Sequence, residues 1–100
     1  MEILKKVNDR ELVLFLKGEL NTSTAPDLDA VVAKELRNID NLIIDMTDLV
    51  YLTSAGLRVL LVAQKIMTDK KGQLIIRHVN NAIMEVFDIT GFKNVLTIEA

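Results

Sequence analysis

Three short apolar runs punctuate the chain: Leu12-Val13-Leu14-Phe15-Leu16, Leu42-Ile43-Ile44 ahead of Asp45-Met46, and Leu74-Ile75-Ile76 ahead of Arg77-His78-Val79. Each is too short for an ordinary helix and apolar at successive positions, so each reads as a strand buried on both faces. Between them the spacing changes. Leu28, Val31, Val32 and Leu36 fall on one helical stripe over about Ala25 to Arg37. From Ser54 to about Lys70, Leu57, Leu60, Leu61 and Met67 lie along one side and Val59, Val62, Ala63 and Ile66 cover much of the rest, so that helix should be largely buried. Buried strands alternating with helices imply right-handed parallel crossovers.

The ends complete the pattern. Glu2 to Lys6 and Glu11 to Lys17 flank Val7-Asn8-Asp9-Arg10, a polar gap that predicts an antiparallel hairpin, with Gly18 ending the second strand. Thr24 is placed to cap the first helix, with Pro26 and Asp27 in its first turn. Gly72 reads as a helix C-cap, and Asn80 or Asn81 as the cap of a short helix, Ala82 to Ile89. Val95 to Ile98 is a last strand. The order is ββαβαβαβ, an α/β fold with a small mixed sheet and helices packed on it.

Composition narrows function. One hundred residues, half of them hydrophobic, predict a single domain over 1–100. No twenty-residue apolar span occurs, and MEILKKVNDR holds no apolar signal core, so a cytoplasmic location without direct membrane binding is expected. No Cys is present, which removes disulfides and thiolate chemistry. A net charge of -2 argues against nucleic-acid binding. One His is poor material for an enzyme, and no cofactor, metal or catalytic residue is expected.

The carboxyl ends of the strands are where such sheets keep their sites. Two polar loops fall there, Gly18 to Thr24 and Thr47 to Gly56, and they share one edge if their strands are parallel neighbours. Ser54, at or next to the start of the long helix, has two readings. A serine there can simply be a cap. It can also accept a phosphate, which the free N–H groups and dipole of a helix start tolerate. The small neighbours Ala55 and Gly56 leave room for an enzyme to reach it. A hydrolase nucleophile is disfavoured, because Leu52 stands where the elbow motif needs Gly. No Gly-rich phosphate loop occurs. Asp45 and Asp48 read as a strand-end residue and a solvated one, and Lys65, Lys70 and Lys71 as a solvated helix end. Leu49 and Leu52 should tuck under the helix, while Tyr51 could do so or face a partner.

Gly18-Glu19-Leu20-Asn21, then Leu42 to Leu49, then Tyr51-Leu52-Thr53-Ser54-Ala55-Gly56-Leu57, with the later Val86 to Phe92, together resemble the STAS domain, and more narrowly the bacterial anti-sigma factor antagonists. The block from Asp45 to Leu57 is the specific part. The resemblance implies a protein that binds an anti-sigma factor, itself a serine kinase, and so frees a sigma factor. It also implies phosphorylation at Ser54 by that kinase, which uses its own ATP, and reversal by a serine phosphatase. The implied docking surface takes in Asn21, Thr22, Ser23, Thr53, Ser54, Gly56 and Arg58, with Gly56 allowing close backbone approach and Arg58 a rim charge. Thr53 and Asn21 stand where many members carry Asp. STAS domains also serve as unswitched interaction subunits, for example in lipid-transport or signalling assemblies.

Overall fold

The computed structural model describes residues 1–99. Its elements are β1 (Glu2–Asn8), β2 (Glu11–Leu20), α1 (Ala25–Glu35), β3 (Asn41–Leu52), α2 (Ser54–Asp69), β4 (Gln73–Arg77), α3 (Asn81–Thr90) and β5 (Thr97–Ile98), with short 3₁₀ turns at Leu36–Asn38 and Phe92–Asn94. The predicted ββαβαβαβ order holds. The five strands lie in chain order across one sheet. β1 is antiparallel to β2, and every later neighbour pair is parallel.

That order has a geometric consequence. Each right-handed crossover steps in the same direction across the sheet, so all three helices fall on one face and the other stays bare. Burial follows this division. Leu12, Leu14, Leu42, Ile44, Leu74 and Ile76 point at the helices and are fully or almost fully buried. Their alternates Phe15, Ile43 and Ile75 are only half-buried, so the apolar runs are not enclosed on both faces as their composition suggests. α2 closes the core with Leu57, Leu60, Ala63 and Met67, and α3 adds Ile83 and Phe87.

The strands also run further than their apolar segments. β1 continues through Val7 and Asn8, leaving Asp9 and Arg10 as the turn. β2 passes Gly18 and ends at Leu20, and β3 takes in Thr47 to Leu52, a stretch that reads as a loop. Two register shifts permit this. Phe15 to Lys17 spans two steps while the paired Asp45 to Asp48 spans three, and Gly18 to Glu19 spans one while Leu49 to Tyr51 spans two. β3 thus carries an extra residue twice, which twists its end without breaking the pairing. Gly18 sits at the second shift with φ +107, where a side chain would be strained, so it bends β2 and does not end it. Leu49 and Leu52 are buried as expected, whereas Tyr51 and Val50 are exposed.

Other helix and strand ends differ in detail. β4 stops at Arg77, where His78 turns to φ 59, and β5 is reduced to two residues. α2 ends with Lys71, not Gly72, in the left-handed region. Gly72 is instead the close contact, since a Cβ there would lie 2.6 Å from the Asp40 carbonyl oxygen. Lys70 is not merely solvated. Its Nζ donates to the carbonyls of Leu36 and Arg37, at 2.6 and 3.1 Å. Asn80 is the cap of α3, its Oδ1 accepting from the Ile83 N–H at 2.8 Å.

Candidate functional site

The parallel pairing of β2 with β3 brings the two predicted polar segments to one edge, as anticipated. The Thr53 N–H donates to the Leu20 carbonyl at 2.9 Å, which ties the start of α2 to the end of β2. The turn leading to α1 is built differently from its expectation. Thr24 stands at the N-cap position, but its hydroxyl accepts no N–H of the helix. It accepts the Asn21 N–H and donates to the Glu19 carbonyl, both at 2.8 Å. Asn21 organises the turn: its Oδ1 accepts from the Ser23 and Thr24 N–H groups at 2.9 and 3.1 Å. A side-chain oxygen two residues upstream imitates a backbone turn, which Asn does better than Thr.

Thr53 and Ser54 are neighbours in opposite situations. Thr53 is the N-cap residue of α2, with extended backbone (φ -113) and no side-chain cap bond. Its Oγ1 is buried and unpartnered. Ser54, the first residue of the helix, is exposed, and its hydroxyl has no hydrogen-bond partner among the described residues. A hydroxyl of this kind is the accessible one. An open groove of about 580 Å³ lies beside it, walled by Thr22, Ala25, Pro26 and Asp29 on the α1 side and by Ser54, Ala55, Arg58, Val59 and Val62 of α2. Its buried lining residues, Ala25 and Val59, are apolar, and its exposed ones are mixed: Thr22, Asp29, Ser54 and Arg58 with Pro26 and Val62. Arg58 is exposed and forms no ion pair among the described residues.

Of the predicted docking residues, Thr22, Ser54 and Arg58 meet in this groove. Ser23 is exposed on the turn, and Asn21 is half-buried with its side chain occupied. Gly56 corrects the expectation. It is buried, and a Cβ there would lie 2.6 Å from Leu20 Cγ, so its close approach is inward to β2 and not outward to a partner. Asp29 and Val62, which also line the groove, were not singled out by their sequence positions. Val62 is the one large hydrophobic residue on the exposed side of α2, which it shares with Ser54, Arg58 and Lys65.

A second polar cluster sits at the β3–β4 junction. Asp45 is the one buried charged residue among those described, at 4% exposure. One carboxylate oxygen accepts from the Thr47 hydroxyl at 2.6 Å and from its N–H at 2.9 Å. The other accepts from Arg77 Nε and lies against His78 Nδ1, both at 3.0 Å. Burial pushes this carboxyl up, but the Thr47, Arg77 and His78 bonds outweigh it and bring it from 3.8 down to about 2. Asp45 is therefore a structural residue on its strand. The single imidazole is engaged here, bonded to Asp45 and 3.0 Å from the Thr47 hydroxyl. No cluster among the described residues could hold a metal ion, and no described helix is long and apolar enough to cross a membrane.

The profile of the STAS domain family matches residues 2–100, and the chain belongs to that family. Several relatives are anti-sigma factor antagonists by name. BtrV of Bordetella bronchiseptica, which carries the name of a candidate anti-sigma factor antagonist, is 31% identical over 91 residues, 90% of this chain and 78% of that one. The anti-sigma-B factor antagonist of Bacillus subtilis is 27% identical over 95 residues, 95% of this chain and 87% of its own. The phosphorylated form of the Bacillus cell fate determinant SpoIIAA superposes with a TM-score of 0.78 over 99% of this chain and 92% of that one, at 17% identity, which is likeness of fold.

Proposed function

We propose that the chain is an anti-sigma factor antagonist. It docks on an anti-sigma factor that is also a serine kinase, frees the sigma factor, and is switched off by phosphorylation at Ser54. The observation that carries this reading is the exposed Ser54 hydroxyl, without a partner among the described residues, at the mouth of the groove and beside a Thr53 hydroxyl that is buried.

In the transfer step, Ser54 Oγ attacks the γ-phosphorus of ATP held by the kinase. The bond to the β-phosphate oxygen breaks, ADP leaves, and the hydroxyl proton passes to a base of the kinase or to solvent. The phosphate then lies at the first turn of α2, where backbone N–H groups and the helix dipole accept negative charge without unwinding the helix. It also brings roughly two negative charges into the docking surface. Turning a mostly bound complex into a mostly free one needs about 5 kcal/mol of differential affinity. Desolvating a phosphate inside an interface supplies an effect of that order. Thr22, Ser23 and Arg58 would contact the partner, and Asn21 would hold their turn in shape. A serine phosphatase would restore the docking form.

Intact mass after incubation with the partner kinase and ATP tests this reading, with Ser54→Ala in parallel. The expected result is one added phosphate in the wild type, none in the variant, and loss of kinase binding on modification. A phosphate that persists in the variant would move the acceptor elsewhere. Binding with no phosphate would make the chain a constitutive docking module.

A further inference from the structure

β1 is the outer strand of the sheet and pairs with β2 alone. Its free edge presents N–H and C=O groups that another strand can use. Two of the large exposed apolar side chains, Leu4 and Val7 at 58% and 61%, lie on this strand. Side chains alternate between faces along it. Glu2, Leu4 and Lys6 share the bare face with Lys17, Phe15 and Val13 across the ladder, while Ile3, Lys5 and Val7 lie on the helix side opposite Leu16, Leu14 and Leu12.

We propose that this edge is a homodimer interface, in which β1 pairs antiparallel with β1 of a second copy about a twofold axis at Leu4. An axis normal to a continuous sheet keeps each face on its own side, so the pairing must centre on a residue. Centred on Leu4, that residue meets the partner's Leu4, Glu2 meets the partner's Lys6, Lys6 meets the partner's Glu2, and Val7 meets the partner's Met1. Ile3 meets the stem of the partner's Lys5, whose charged end is held by Glu35, while the remaining pairs match opposite charges or apolar groups, which stabilises cross-strand pairs. Neighbouring registers lose this. Centring on Lys5 opposes two lysines and sets Leu4 against the partner's Lys6. Centring on Ile3 sets Glu2 against the partner's Leu4.

Lysines on an edge strand commonly deter pairing. Here Lys5 is drawn to Glu35 of α1 at 2.9 Å. Lys6 and Glu2 have no ion-pair partner among the described residues of their own chain, and each supplies the other's across the twofold axis. No β1 residue lines the Ser54 groove, so the dimer and the proposed docking use separate surfaces. A single strand pair is a small interface, and its dissociation constant should be on the order of 100 μM.

Sedimentation equilibrium on the whole chain, from about 20 μM to about 1 mM by the affinity just argued, tests the proposal. The mass should rise from 11.2 kDa toward twice that value. Glu2→Lys and Lys6→Glu should each weaken association about tenfold, since each replaces two opposite-charge contacts with like ones. The double exchange E2K/K6E restores both pairs and should return association to the wild-type level. Circular dichroism confirms that each variant is folded. A wild type that stays at the monomer mass throughout overturns the proposal. So does a double variant no stronger than the singles, which would place any self-association elsewhere.

Discussion

Asp45 is enclosed and bonded through both carboxylate oxygens, whereas Ser54, beyond the far end of the same strand, is exposed and its hydroxyl has no partner among the described residues. The contrast separates two uses of a polar residue in a small core. A buried charge persists only when donors surround it, and it then fixes the elements that supply those donors. Asp45 locks β3 to β4 in this way through Thr47, Arg77 and His78. A hydroxyl that satisfies no neighbour can be modified without dismantling the fold. Thr53 lies between the two cases, being buried like Asp45 and unpartnered like Ser54.

Substitutions should break this comparison in order of how much each group is bonded. Asp45→Ala leaves Thr47, Arg77 and His78 without their acceptor. Arg77 and His78 are partly open to water, so the loss should be about 2–3 kcal/mol, below that of a fully buried pair, and read as a lower urea midpoint. The acid limb isolates the charge itself. A carboxyl whose folded pKa is about 2 adds stability that is complete above its unfolded value near 3.8 and disappears as pH falls through about 2. That contribution is worth about 2 kcal/mol. Between pH 4 and pH 2 the wild type should lose that much more than Asp45→Asn in paired urea melts.

Gly56→Ala tests the packing under Ser54. Its Cβ would press on the buried Leu20 side chain, which must shift, so a loss of about 1–2 kcal/mol is expected in thermal unfolding. Thr53→Val removes a buried hydroxyl with no partner and keeps the shape. Stability should rise by up to about 1 kcal/mol. Ser54→Ala should move stability by less than about 0.5 kcal/mol, because no described residue uses the hydroxyl. A large loss in that variant would show the serine to be structural and erase the contrast with Asp45.

Much of this architecture is legible in order along the chain. The apolar runs mark β2, β3 and β4, helical spacing marks α1 and α2, and the Asn80 cap lies in plain view. What escapes local reading depends on distant partners. Thr47 to Leu52 has the mixed composition of a loop and becomes strand only because β2 supplies a ladder that tolerates two extra residues. Asp45 looks like a strand-end residue until β4 brings Arg77 to the same level. Gly56 acquires its role from Leu20 on another strand. Asn21 and Thr24 are a different difficulty, since each side chain accepts the other's backbone N–H, and this reciprocal pairing, set by the geometry of the turn, takes the Thr24 hydroxyl away from the N–H groups of α1. The candidate site was legible at Ser54 and Arg58. Its groove was not, because α1 and α2 form it jointly.

The long central strand has one more consequence. β3 is paired to β2 along most of its length and to β4 through its first half, so its amides should be among the slowest to exchange with solvent, released only by global opening. Ser54 is the second residue beyond that strand. Its surroundings on the α1 turn can fluctuate on fast timescales while its own anchor does not. For the modification proposed above, the backbone that carries the Ser54 hydroxyl would already be held in position, and little ordering of it would remain to be done during the encounter.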